Sequence, residues 1–252
     1  MSRLQQNSID PIPLLLRRIP DWAERIPKPS SRPTVLAQPV QASGKPTPPF
    51  MLELFQRAGE AFVCESAGGR LPASCPERHI NGNGTFCIGY EAGKRIETEQ
   101  AADLWWTKLM VHLLCQDTAG RTGVWPSYAA LSHGDAGGVQ LIAEAFGAER
   151  GMLDAVRDAA RGEGPIHAAI QLISEKDPKR LINGRAACVC GPKKKWSAQV
   201  LRRECEPASC LVFLEQERRR KEAEFWNERR DWVCCGSMVD CPLRKKAKTT
   251  ER

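Results

Sequence analysis

Between Gly68 and Gly89 the chain reads GGRLPASCPERHINGNGTFCIG, and this stretch restricts the folds open to it more than any other. Gly82 and Gly84 flank Asn83, so Gly-Asn-Gly supplies a tight turn with backbone positions open to positive φ. The turn folds the chain back on itself and carries Asn81 alongside Cys87. A thiol on a short extended piece, with a side-chain amide delivered beside it, has the ingredients of nucleophilic acyl transfer. The thiolate attacks a carbonyl, and an amide N–H steadies the loop or the developing oxyanion. A Gly turn between two strands, holding a buried cysteine, is the plainer reading of the same letters.

The order of residues around the turn adds to this. The run His79-Ile80-Asn81 followed by Gly84-Thr85-Phe86-Cys87-Ile88 resembles the active-site segment of ubiquitin-conjugating enzymes. In that family a His-Pro-Asn tripeptide precedes Gly-x-x-Cys-Leu, and the cysteine carries the ubiquitin thioester. Ile80 stands where the family has Pro, and the spacing from Asn to Cys is two residues shorter than in eukaryotic members. Both departures look like bacterial ubiquitin-conjugating-like proteins. The approach from Cys64 to Pro72 and the later Gly123-Val124-Trp125-Pro126 and Ser132-His133-Gly134 are similar to one bacterial branch, so the resemblance spans roughly residues 50 to 150. It implies Cys87 as the thioester carrier, Asn81 as support for the loop and oxyanion, and His79 as a residue that holds the turn by hydrogen bonds. It also implies a ubiquitin-like protein, a separate activating enzyme and a protein target as partners, in a bacterial conjugation or anti-phage pathway. His133, at a helix entrance, is the candidate for lowering the pKa of Cys87 or moving a proton.

Length and composition fit this scheme. A chain of 252 residues, 42% apolar, has room for one ordinary domain plus a small module and can bury a core. No apolar run approaches membrane length, since the best one, Leu109 to Cys115, is broken by His112. Leu14-Leu15-Leu16 is followed at once by Arg17-Arg18, which is no signal core. The expectation is a cytoplasmic protein without a membrane partner. No nucleotide-binding Gly-rich loop followed by a strand and helix is present, so ATP is expected to be used by another protein.

In chain order, the pattern predicts an α+β protein: a pared-down ubiquitin-conjugating-like domain, with a short antiparallel meander plus helices, then a helical, Cys-rich, zinc-binding-like region. Residues 1–33 read as a Pro-rich N-terminal segment. Leu15, Ile19, Trp22 and Ile26 are spaced for a short helix there, limited by Pro20 to a start near Asp21. Residues 34–150 form the conjugating-like domain. Its strands are Phe50 to Gln56 and Glu60 to Glu65 with Thr34 to Gln41 as a further candidate, one fewer than a four-stranded meander needs. From Thr98 a helix is expected, with Ala101, Leu104, Trp105, Leu109, Val111 and Leu113 on its apolar face and Gly120 with Gly123 ending it. A second helix, capped by Ser132, runs to Phe146. Residues 151–180 are a helical extension, and residues 181–252 a Cys-rich basic tail.

Eleven cysteines are too many and too clustered for a single nucleophile, and in a cytosolic chain close pairs bind metal more often than they form disulfides. Cys188-Val189-Cys190-Gly191 resembles the start of the zinc motif at the C-terminus of SecA-like proteins, although the next cysteines come late. A structural zinc ion is expected, with Cys188, Cys190 and Cys205 as ligands and the fourth drawn from Cys210, Cys234, Cys235 or Cys241. The charged helix from Leu211 to Arg230 is expected to bring the two cysteine clusters together at its tips. Seven cysteines for one four-coordinate ion leave three over. The net charge of +7 is concentrated at Lys193-Lys194-Lys195, Arg218 to Lys221 and Arg244-Lys245-Lys246. A solvated basic face is the plainer reading, and a nucleic-acid partner the sharper one. Two rival functions remain: a non-catalytic zinc-containing module on a degenerate conjugating fold, and a cysteine peptidase acting on conjugates.

Overall fold

Proline decides how the chain begins. The computed structural model describes residues 10–28, 31–173, 189–190 and 207–244. Pro11 caps helix α1 (Ile12–Arg17) and Pro13 occupies its first turn, where the missing N–H costs nothing. The helix anticipated from Asp21 to Ile26 does not form. Ala23–Ile26 is instead strand β1, because its backbone is taken up in register by β2 (Thr34–Ala37), from Ala23 opposite Ala37 to Ile26 opposite Thr34. Strands β3 (Phe50–Arg57) and β4 (Glu60–Glu65) complete an antiparallel meander in the order β1-β2-β3-β4. The strand missing from the sequence reading is β1, so the meander is short but complete.

The β3–β4 turn is Ala58-Gly59, with φ of 51° and 78°, and it closes on the pair Arg57–Glu60. Two positive φ angles give the twist a two-residue hairpin needs. Alternation along the strands then sends Phe50, Leu52 and Leu54 of β3, and Ala61 and Val63 of β4, into the core.

Helix α2 (Glu99–Thr122) covers that core. Thr98 caps it by accepting the Ala101 N–H at 3.2 Å, and Gly123, at φ 72°, ends it. Its buried stripe is Ala102, Trp105, Trp106, Leu109, His112, Leu113 and Gln116. The stripe therefore differs from the expected one: Leu104 and Val111 face solvent, and three polar residues of the helix, His112, Gln116 and Asp117, are buried. Trp105 and Trp106 are core residues, and the Trp106 Nε1–H donates to the Leu15 carbonyl at 3.0 Å, tying α1 to α2. Burying an aromatic side chain of this size contributes on the order of 2–3 kcal/mol.

The chain divides into two units, Met1–Ala130 with Asp231–Arg252, and Leu131–Arg230. The second is helical: α3 (Asp135–Glu149), α4 (Leu153–Ala160), α5 (Gly164–Ile170) and α6 (Leu211–Glu228) enclose Ala143, Val156, Ile166, Leu211, Val212 and Leu214. Ser132 does not cap α3, whose N-cap is Gly134. Its hydroxyl accepts from Arg218 at 2.8 Å, because the buried guanidinium needs an acceptor beyond Glu215. No helix among the described residues is long and apolar enough to cross a membrane.

Candidate functional site

The segment around Cys87 is a hairpin laid against the open edge of β4. The Cys75 and Ile80 backbones exchange two hydrogen bonds at 3.0 Å, closing a one-turn 3-10 helix, Pro76–Arg78, between them. Ile80 then pairs with Phe86, Asn81 N–H donates to the Thr85 carbonyl at 2.8 Å, and Gly84 N–H closes the turn on Asn81 at 2.9 Å. Gly84 has φ 80°, so this is the position that requires glycine. Gly82 is small for a different reason: a Cβ there would lie 2.7 Å from the Trp232 ring. The Phe86 N–H donates to the Val63 carbonyl at 2.8 Å, and Thr85 bridges Cys64, so β4 aligns the hairpin.

Cys87 follows on this hairpin opposite His79, its N–H donating to the His79 carbonyl at 2.8 Å. The thiol is partly buried, and burial pushes it above the usual cysteine range, while a hydrogen bond from the Gly89 N–H opposes the rise. A sulfur of this kind is a poor anion at rest and a good acyl acceptor once deprotonated. Gly89 was not singled out by the sequence, because a backbone donor carries no signature in the letters.

His79 is buried, adopts a left-handed backbone (φ 52°) and lies 4.9 Å from the Trp125 ring. Its carbonyl, rather than its ring, meets the Cys87 backbone. Asn81 is exposed, and its amide donates to Thr85 Oγ1 at 3.0 Å, while Thr85 Oγ1 donates to Asn83 Oδ1 at 2.7 Å. In this ladder Cys87 is the diagonal neighbour of Asn81, on the order of 7–8 Å away by strand geometry. His133 belongs to the second unit. There its Nδ1 pairs with Glu222 at 2.6 Å, its N–H donates to Glu222 at 2.7 Å, and its ring packs on Phe225 and Trp226. Burial would raise Glu222, but the hydrogen bonds from His133 outweigh it and hold the carboxylate below its usual range.

Behind the hairpin lies a buried polar network. Arg78 donates through Nε to Gln116 Oε1 at 2.9 Å and through Nη2 to the Gln116 carbonyl at 2.9 Å. Gln116 Nε2 donates to the Arg78 carbonyl at 2.5 Å and lies 3.0 Å from His112 Nε2. The His112 ring stacks on Phe86 at 4.9 Å. Burial, with Arg78 adding to it, pushes His112 down to about 3, so the ring is neutral and its Nε2 accepts from Gln116.

The candidate metal ligands divide. Cys188 and Cys205 lie outside the described residues. Cys190 and Cys210 belong to the second unit, Cys210 buried at the head of α6 and Cys190 beside Arg150, which also donates to the Ser209 carbonyl at 2.6 Å. Cys234, Cys235 and Cys241 belong to the first. Helix α6, between the two clusters in the chain, is 18 residues or about 27 Å long. Among the described residues no three His, Cys, Asp or Glu side chains already surround a metal position. The basic run Arg218 to Lys221 is compensated: Glu215, Glu217, Glu224 and Asp135 pair with it. Lys193 to Lys195 and Lys245-Lys246 lie outside the described residues.

No curated protein and no solved structure matches the chain. Two family models do: residues 23–127 match the prokaryotic E2 domain, and residues 132–243 match the cysteine-rich domain C-terminal to an E2 domain. E2 denotes the conjugating component of ubiquitin-like systems. The first match begins at β1 and ends after α2, enclosing the Cys87 hairpin, and assigns the chain a conjugating-enzyme-like role. The cysteine-rich match is compatible with metal binding. With the two domains following one another along most of its length, the chain belongs to the prokaryotic E2 family that carries a cysteine-rich extension.

Proposed function

We propose that Cys87 accepts the C-terminal carboxyl group of a ubiquitin-like protein from the thioester of a separate activating enzyme and passes it to an amine or thiol of a target protein. The observation that carries the reading is the Cys87 sulfur itself, partly buried at the end of a β4-aligned hairpin with the Gly89 N–H as donor. Loading exchanges one thioester for another: the Cys87 sulfur bonds to the acyl carbon, and the activating enzyme's sulfur leaves with the proton. Attacking and leaving groups are alike, so no strong local base is needed. Discharge to a lysine passes through an oxyanion, and a backbone or amide N–H beside it lowers the barrier. Gly89 offers one such donor, and Asn81 the second once its amide leaves Thr85.

The chemistry takes place in the cytoplasm of a bacterium, in a conjugation or anti-phage pathway whose other members supply the ubiquitin-like protein and ATP use. The cysteine-rich domain holds a structural zinc through Cys188, Cys190, Cys205 and Cys210, a reading favoured by Arg150, which reaches both Cys190 and the backbone next to Cys210.

Separating loading from discharge tests the role of Asn81. The Asn81→Ala variant is expected to form the Cys87 thioester at the normal rate and to release it to free lysine at least tenfold more slowly. Equal loss of both steps would reduce Asn81 to a loop residue. No thioester on the unsubstituted chain would favour the non-catalytic module.

A further inference from the structure

The C-terminal cysteines divide by position into four, Cys188, Cys190, Cys205 and Cys210, and three, Cys234, Cys235 and Cys241. Three thiols are one short of a tetrahedral site. The structure supplies a fourth from the conjugating domain. Cys75 Sγ lies 2.8 Å from Cys235 Sγ, across 160 residues of chain, and Cys241 interacts electrostatically with both Cys234 and Cys75. Cys75 and Cys241 are buried.

The backbone around these sulfurs is shaped for anions. The Gly236 N–H donates to Cys234 Sγ at 3.4 Å, and the backbone N–H groups of Arg78, Ser237 and Leu243 favour the thiolates of Cys75, Cys235 and Cys241. Three of these four N–H groups stand two residues after their sulfur, and Gly236, at φ 74°, makes the turn that places two of them in succession. Donors of this kind stabilise thiolates and orient metal-bound sulfur.

A buried cation stands beside them. Arg78 is 4% exposed, and its guanidinium meets only neutral acceptors, Gln116 and, at 3.4 Å, Ser237 Oγ. Among the described residues it makes no ion pair; the Glu65 carboxylate favours its charge without contact and Arg70 opposes it. A buried guanidinium without a counter-charge in contact is costly. Four thiolates on a divalent ion carry a net charge of about −2 and supply that counter-charge.

We infer that Cys75, Cys234, Cys235 and Cys241 form a tetrathiolate site for a zinc ion that joins the C-terminal segment to the conjugating domain. Thiolate sulfur selects a soft divalent ion, and four such donors favour tetrahedral zinc. Loading releases the remaining thiol protons to solvent. With Zn–S at about 2.3 Å the sulfurs stand about 3.8 Å apart, so the Cys75–Cys235 pair opens by about 1 Å as its sulfurs turn towards the ion. The ion sits at the root of the active-site hairpin, since Cys75 pairs with Ile80, and Ile80 pairs with Phe86 next to Cys87. Trp232, two residues before Cys234, lies over Gly82 at the other end of the same hairpin.

The test is zinc content of the full chain, purified reduced with zinc and weighed by native mass spectrometry. Cys75→Ser, Cys235→Ser and Cys241→Ser should each lose one zinc per chain, while Cys64→Ser keeps it. Unchanged zinc in Cys75→Ser overturns the proposal. A folding defect is separated by pulse alkylation of the unsubstituted chain. Cys75, Cys234, Cys235 and Cys241 should resist alkylation together and become reactive together when a chelator is added. Alkylation of Cys75 before chelation overturns the site, as does a Cys75–Cys235 disulfide peptide that persists in chelator.

Discussion

Keeping His112 neutral should make the conjugating unit sensitive to acid by an amount that can be worked out. The ring is 4% exposed, packed between Phe86 and Trp125, with Gln116 donating to it, and its folded value lies at about 3 against 6.5 in the unfolded chain. The unfolded state therefore binds the extra proton first as pH falls. The contribution is fully present above pH 6.5 and is lost progressively as pH falls towards 3. Proton linkage gives a loss of about 2 kcal/mol between pH 7.5 and pH 5, close to the limiting slope of about 1.4 kcal/mol per pH unit for one group. The assay is urea unfolding, followed by Trp fluorescence, of the unsubstituted chain and of His112→Phe. Phenylalanine keeps the ring stack and removes the titration, although it deprives Gln116 of an acceptor. His112→Phe should be less stable at pH 7.5 and should close most of that gap by pH 5. A gap that stays constant across this range would show that His112 does not titrate on unfolding and would refute the reasoning.

Other consequences follow from single contacts. Because burial raises the Cys87 thiol, loading by the activating enzyme's thioester should accelerate nearly tenfold per pH unit from pH 7 to 8.5, and a plateau below pH 8 would contradict the assignment. Gly84→Val forces a β-branched residue into φ 80° and should cost on the order of 1–2 kcal/mol in thermal unfolding, with slower loading, whereas Asn83→Ala should cost less. Trp106→Phe removes the indole donor from the Leu15 carbonyl, which keeps only the Arg18 N–H, and leaves a void under α1, a loss of about 2–3 kcal/mol that hydrogen exchange should locate at residues 12–17.

Features governed by neighbouring residues were legible in the sequence. Thr98 and Gly123 bound α2 because a cap and a left-handed stop act within one turn, and β3 and β4 follow from alternation around a two-residue turn. The site hairpin was legible for the same reason, with Gly84 as its fixed point. Features governed by distant partners were not. Ala23–Ile26 has helical spacing, yet it is held as a strand by β2. Leu104 fits an apolar face by type, but the face belongs to His112 and Gln116, whose polarity is satisfied by Arg78 on another element. A stripe reading of Trp105, Leu109, His112 and Gln116 at three- and four-residue steps would have found it. Cys75 gave no sign of its neighbours, since no local spacing links it to residues 160 positions away.

The central claim is that Cys87 carries an acyl group, and intact mass tests it most directly. The purified chain is incubated with a ubiquitin-like protein, its activating enzyme and ATP, and weighed with and without dithiothreitol. The account predicts an adduct of one ubiquitin-like protein that dithiothreitol removes and that Cys87→Ala does not form. An adduct that persists in Cys87→Ala, or no adduct while the activating enzyme is itself charged, would contradict it.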